Sequence, residues 1–87
     1  MTKETVLTIR LLAFGALSDH LGNRPIEMNL ATGSRVSDLL VRVGRDYPAA
    51  ESQLPHCMIA VNREYVAREY VLAGGDEVAL LPPVSGG

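Results

Sequence analysis

The chain has 87 residues, which is enough for one hydrophobic core and too few for two. It is 47% hydrophobic and 21% charged, a balance that suits a folded domain and argues against intrinsic disorder. Eight basic and ten acidic residues leave a formal charge of −2 with no basic block, which speaks against a nucleic-acid partner, and a lone cysteine, Cys57, rules out an internal disulfide framework and a multi-thiolate zinc or iron–sulfur site.

The first strong segment runs from Val6 to Phe14. Read with a period of two, Leu7, Ile9, Leu11 and Ala13 share a uniformly apolar face. The other face is mixed (Val6, Thr8, Arg10), and its far end, Leu12 and Phe14, is apolar. Arg10 interrupts this stretch and makes it a poor signal peptide, and no apolar run approaches the ~20 residues of a membrane span. A cytoplasmic protein with no membrane partner is expected. Ala16 to Leu21 reads as a short helix or turn stopped by Gly22. In Pro25 to Leu30 the residues Ile26, Met28 and Leu30 alternate with Glu27 and Asn29, as a second strand paired with the first would.

Thr32-Gly33-Ser34 is a turn, with Ser34 as the N-cap of the helix that follows. Val36, Leu39, Leu40, Val43 and Tyr47 recur at i, i+3, i+4, i+7 and i+11, one stripe of an amphipathic helix. Asp38 and Arg42 stand at i, i+4 in the favourable order. Gly44 costs this helix about 1 kcal/mol relative to Ala, and Pro48 ends it. Cys57 to Val61 reads as a strand closed by Asn62-Arg63-Glu64, with Tyr65-Val66 a short return. Gly74 to Glu77 is a turn into a last strand, Val78 to Leu81, with Val78 and Leu80 inward and Ala79 and Leu81 outward. Pro82 and Pro83 end the pairing because neither can donate a ladder hydrogen bond.

The order β, β, α, β, short β, β describes an α+β domain of two layers. One helix covers one sheet face and leaves the other open. Leu12, Phe14, Ala79 and Leu81 fall on the open side, and form one apolar patch if the first and last strands are neighbours. Such patches mark protein docking sites. His20 and His56 read as solvated loop residues without metal-ligand spacing, and Cys57 as a small buried hydrophobe. Asp76-Glu77 reads as turn chemistry before the last strand, and the Arg42–Asp46 pair as a solvated helix face.

The sequence finishes Leu81-Pro82-Pro83-Val84-Ser85-Gly86-Gly87. Fully extended, the six residues after Leu81 reach roughly 20 Å from the body. Gly86 and Gly87 lack a Cβ and can enter a channel closed to other residues. A protruding, unhindered carboxylate is a group that another enzyme can activate.

These features resemble the small subunit of molybdopterin synthase, a family of ubiquitin-like sulfur carriers. The matching pieces are Ala13-Phe14 with Leu21-Gly22, Val36 with Asp38-Leu39-Leu40, Ala60 to Val66, Gly75 to Ala79, and Pro82 to Gly87. Arg35 departs from the family, which usually has Thr or Ser before the helical Val. The resemblance implies a β-grasp body over residues 1–81, a mixed sheet of about five strands with one main helix on one face, and a carrier tail over 82–87. It implies that an E1-like partner adenylates Gly87, next to Gly86, using ATP and Mg²⁺, with no cofactor held permanently by the carrier itself. A sulfur donor protein then converts the end to a thiocarboxylate. The loaded tail enters the large synthase subunit and gives sulfur to cyclic pyranopterin monophosphate to build the dithiolene, within a heterotetramer. The resemblance assigns partner contacts to Phe14, Tyr65 and Leu81 on the sheet face and to Pro82, Pro83, Val84 and Ser85 in the tail. No P-loop and no catalytic His/Asp/Ser grouping stands in the sequence, so the carrier is read as non-catalytic and without a metal site. A thiamine-pathway sulfur carrier, which tends to be shorter and to lack the Pro-Pro-Val-Ser ending, a ubiquitin-like protein modifier, and a bare β-grasp interaction module with an inert tail are the alternatives.

Overall fold

The alternating runs become the strands of one five-stranded sheet. The computed structural model describes residues 5–83. Strand β1 (Val6–Ala13) leads through a 3₁₀ turn (Gly15–Leu17) into the short helix α1 (Ser18–Leu21), which Gly22 ends at φ 92°. Strand β2 (Ile26–Ala31), helix α2 (Val36–Asp46), a 3₁₀ segment (Pro48–His56), β3 (Met58–Val61), β4 (Glu64–Tyr65) and β5 (Glu77–Leu81) follow. The sheet order is β2-β1-β5-β3-β4, with β1 and β5 parallel at the centre and the other pairs antiparallel. This is the β-grasp fold.

The apolar stripe of α2 buries Val36, Leu39, Leu40 and Val43 against Leu7, Ile9 and Leu11 of β1, Met28 and Leu30 of β2, Ile59 and Val61 of β3, and Val78 and Leu80 of β5. Full burial of each large apolar side chain contributes about 1.5–3 kcal/mol relative to exposure. Ile26 and Tyr47 pack at the rim of this core.

The start of α2 differs from the expectation. Arg35, not Ser34, is the N-cap residue, and no side chain of its own accepts a bond there. Instead the Asp38 carboxylate accepts the Arg35 amide at 2.8 Å. The first free amides of the helix, on Val36 and Ser37, donate to the carbonyls of Tyr70 and Arg68. A neighbouring chain segment thus does the work of the missing Thr or Ser. With Asp38 so engaged, the expected Asp38–Arg42 pair gives way to Arg42–Asp46 at 2.9 Å, and Arg42 also donates to the Asn29 carbonyl.

Pro48 ends α2 as expected, and two further expectations change in detail. His56, read as a loop residue, closes the 3₁₀ segment that Pro48 opens. The return strand is Glu64–Tyr65, one residue earlier than read, because the turn consists of Asn62 and Arg63 alone. The turn before β5 forms as expected, and within it Asp76 is buried, accepting hydrogen bonds from the Asn62 side chain and the Ala73 amide.

Candidate functional site

With α2 covering one sheet face, the strands bring their other side chains together on the open one. The register puts Leu12 opposite Ala79, Ala79 opposite Ala60, and Ala60 opposite Tyr65. Leu81 lies beside Met58 in the next row. Phe14 continues β1 beyond its last paired residue, its amide donating to the Leu80 carbonyl at 3.0 Å. Leu12, Phe14, Ala60, Tyr65, Ala79 and Leu81 therefore line one shallow depression of about 330 Å³, with Arg63 and Glu77 on its polar side. Phe14 is 46% exposed and Tyr65 66% exposed, so neither belongs to the core, while Leu81 is half-buried. Large exposed aromatics clustered in a depression are the raw material of a docking surface.

The polar edge of this face is lightly charged. Arg10 and Glu77 approach to 4.0 Å, both partly exposed, a pair of little energetic weight. Among the described residues no buried side-chain nitrogen or oxygen lacks a partner, and no group of three His, Cys, Asp or Glu residues could hold a metal ion. His20 and His56 are exposed. Cys57 is buried, its thiol donating to the Leu54 carbonyl, and burial pushes its pKa up although the Arg68 guanidinium acts in the opposite sense.

Beyond Leu81 the chain leaves the sheet at Pro82 and Pro83, both exposed. The root of the tail passes close over Gly15, where a Cβ would stand 3.1 Å from the Pro82 ring. Gly15 also has φ 65°, so its lack of a side chain serves both the turn and this close approach. Beside the root, a hollow of about 290 Å³ is lined by Phe14, Leu17, His56, Cys57, Pro82 and Pro83. Phe14 thus stands between this hollow and the open-face depression. Val84, Ser85, Gly86 and Gly87 lie outside the described residues.

The structure brings Phe14, Tyr65 and Leu81 together on one surface. Reading by residue type found Leu12 and Ala79 on that surface and left out Ala60 and Arg63. Ala60 was signalled by its alternation with the inward Ile59 and Val61. Arg63 had no comparable signal, because its position depends on the backbone of the turn.

Comparison with known proteins gives the family and the fold. The model of the ThiS family matches residues 12–87. The chain is 35% identical over 83 residues to the molybdopterin synthase sulfur carrier subunit of Chlamydomonas reinhardtii, covering 93% of this chain and all of that one. The crystal structure of SAMP1 from Haloferax volcanii superposes with a TM-score of 0.79 at 31% identity, over 92% of this chain and 99% of the other. A chain from the complex of subunits 1 and 2 of the Helicobacter pylori molybdopterin-converting factor shares the fold, with a TM-score of 0.66 at 23% identity over 93% of this chain and all of that one. This chain belongs to the ThiS family and is a relative of the molybdopterin synthase sulfur carrier subunits.

Proposed function

We propose that this chain is the sulfur carrier subunit of a molybdopterin synthase. The observation that carries the reading is its 35% identity to a protein of that name along that protein's full length. The work of the chain is to present its Gly86-Gly87 end to partners. The Gly87 carboxylate attacks the α-phosphorus of ATP, held with Mg²⁺ by an E1-like activating enzyme, and pyrophosphate leaves. The acyl adenylate so formed has a good leaving group, AMP, which sulfide-level sulfur supplied by a donor protein displaces. The resulting thiocarboxylate is a softer and stronger nucleophile than a carboxylate. Its sulfur bonds to a carbon of cyclic pyranopterin monophosphate inside the large subunit, water then cleaves the acyl–sulfur bond and returns the Gly87 carboxylate, and two such deliveries build the dithiolene.

In this reading Phe14, Tyr65 and Leu81 dock the body on the large subunit. Pro82, Pro83, Val84 and Ser85 carry the end into its active site. The stiff proline pair favours an extended exit from β5, since each proline holds φ near −65° and offers no amide for pairing. The carrier contributes no catalytic side chain. It keeps a reactive sulfur covalently attached and delivers it at a defined reach.

The test is the intact mass of the protein after incubation with an activating enzyme, ATP, Mg²⁺ and a sulfur source. A gain equal to sulfur replacing oxygen is expected, mapped by fragmentation to Gly87 and absent when Gly87 is deleted. Mapping is needed because oxidation of a methionine adds nearly the same mass. An unchanged mass with an enzyme proven on another carrier would overturn the reading. Conjugates to lysines of other proteins that vanish with Gly87 would assign the chain to protein modification instead.

A further inference from the structure

We infer that Arg63 is a specificity contact of the docking face, set to meet a carboxylate on the large subunit. The inference rests on the docking reading above and adds to it a charged contact which neither the fold nor the apolar patch requires. Asn62 and Arg63 are the whole loop between β3 and β4, since Val61 already pairs with Glu64. Both have positive φ, 51° and 73°. Two-residue hairpin loops with both central residues in this region favour Asn-Gly, because an L side chain at the second position is strained.

Asn62 is explained from within the molecule. Its amide donates to the Glu77 carbonyl, its side-chain nitrogen to the buried Asp76, and its side-chain oxygen accepts the Glu77 amide at 3.0 Å. These bonds pin Asn62, and the pairing of Val61 with Glu64 closes a two-residue loop in which Arg63 is held at positive φ. Arg63 itself makes no side-chain hydrogen bond or ion pair among the described residues, so nothing there offsets its strain. What it does is line the depression with Phe14, Tyr65 and Leu81. Glu77, the carboxylate on this side, stands 4.0 Å from Arg10 in a loose, partly exposed pair, so two cations share one anion along this edge. Arg63 therefore leaves that edge of an otherwise apolar surface with a net positive charge on a rigid mount. Strain kept without internal return, at the rim of a docking surface, points to a contact made outside the molecule. A carboxylate is the group that the guanidinium fork fits best.

The experiment compares wild type, Arg63→Gly, Arg63→Glu and Phe14→Arg for melting temperature and for affinity to the large subunit from the same organism, at low and high salt. Arg63→Gly should melt a few degrees higher, since glycine removes the strain. It should nevertheless bind about three- to fivefold more weakly at low salt, with the difference shrinking at high salt as charges are screened. Arg63→Glu should bind more weakly still. Unchanged affinity in Arg63→Gly alongside lost binding in Phe14→Arg overturns the role of Arg63 and leaves the docking reading standing. Unchanged affinity in both overturns the docking reading, and Arg63 falls with it. A salt-independent loss, or a melting temperature that does not rise, also overturns the inference.

Discussion

Cys57 is held where a thiol makes a poor nucleophile. It is buried, and its thiol is committed to the Leu54 carbonyl at 3.1 Å. Desolvation penalises the thiolate, and the partial opposition of Arg68 does not cancel it, so the pKa lies above the ordinary 9.0. The sign of the pH effect follows. The unfolded chain releases this proton before the folded one does. The stability linked to Cys57 is therefore fully present below pH 9.0 and is lost as pH rises through the folded value. Melting temperatures from neutral pH upward should decline more steeply above 9 in wild type than in Cys57→Ala; parallel curves would contradict this. The buried state of Cys57 was legible in the chain, because a single cysteine in an apolar run is usually a small hydrophobe. The buried state of Asp76 was not, because its partners, Asn62 and Ala73, are set by how two turns meet.

At the level of elements, α2 shows how a local cost is tuned by packing. Gly44 is buried on the face toward the 3₁₀ segment, where a Cβ would stand 3.4 Å from the nearest side-chain atoms, Glu51 Cγ and Leu54 Cδ1. That is ordinary van der Waals contact, so alanine fits and a larger side chain does not. Gly44→Ala should stabilise the protein by roughly 0.5–1 kcal/mol through helix propensity. Gly44→Leu should destabilise it by about 1–3 kcal/mol, because Leu54 and Glu51 must move. Urea denaturation of the two variants checks both signs. The 3.6-residue stripe revealed α2 and its buried face directly. Its cap was hidden, since the carbonyls of Tyr70 and Arg68 that receive its first amides come from more than 30 residues further on.

Across the whole molecule, Arg68 ties together segments that the sequence separates. Its guanidinium donates to the carbonyls of Leu54, Cys57 and Pro55 at 2.9, 3.1 and 3.3 Å, joining the chain after β4 to the end of the 3₁₀ segment. Hydrogen bonds from a charged donor contribute about 1.5–3 kcal/mol when desolvated, and partial exposure lowers this. Arg68→Ala should therefore cost about 1–2 kcal/mol and speed amide exchange around Cys57 more than in the centre of β1. Uniform exchange across both regions would show that the tie is global rather than local.

The order of strands and helix, and the side chains that turn inward from each, were determined by the sequence itself. Periods of two and of 3.6 residues are local, and hydrophobic burial acts on them wherever they occur. The proline pair after Leu81 marked the end of the sheet for the same local reason. The tertiary structure decided which strands became neighbours. It set β1 parallel to β5 and brought Tyr65 opposite Ala60, so that one row runs from Leu12 to Tyr65 across the open face. It also laid Pro82 over Gly15 and fixed Arg63 in its strained turn. Those relations depend on register and chain closure, which arise only when residues far apart in sequence pack against one another.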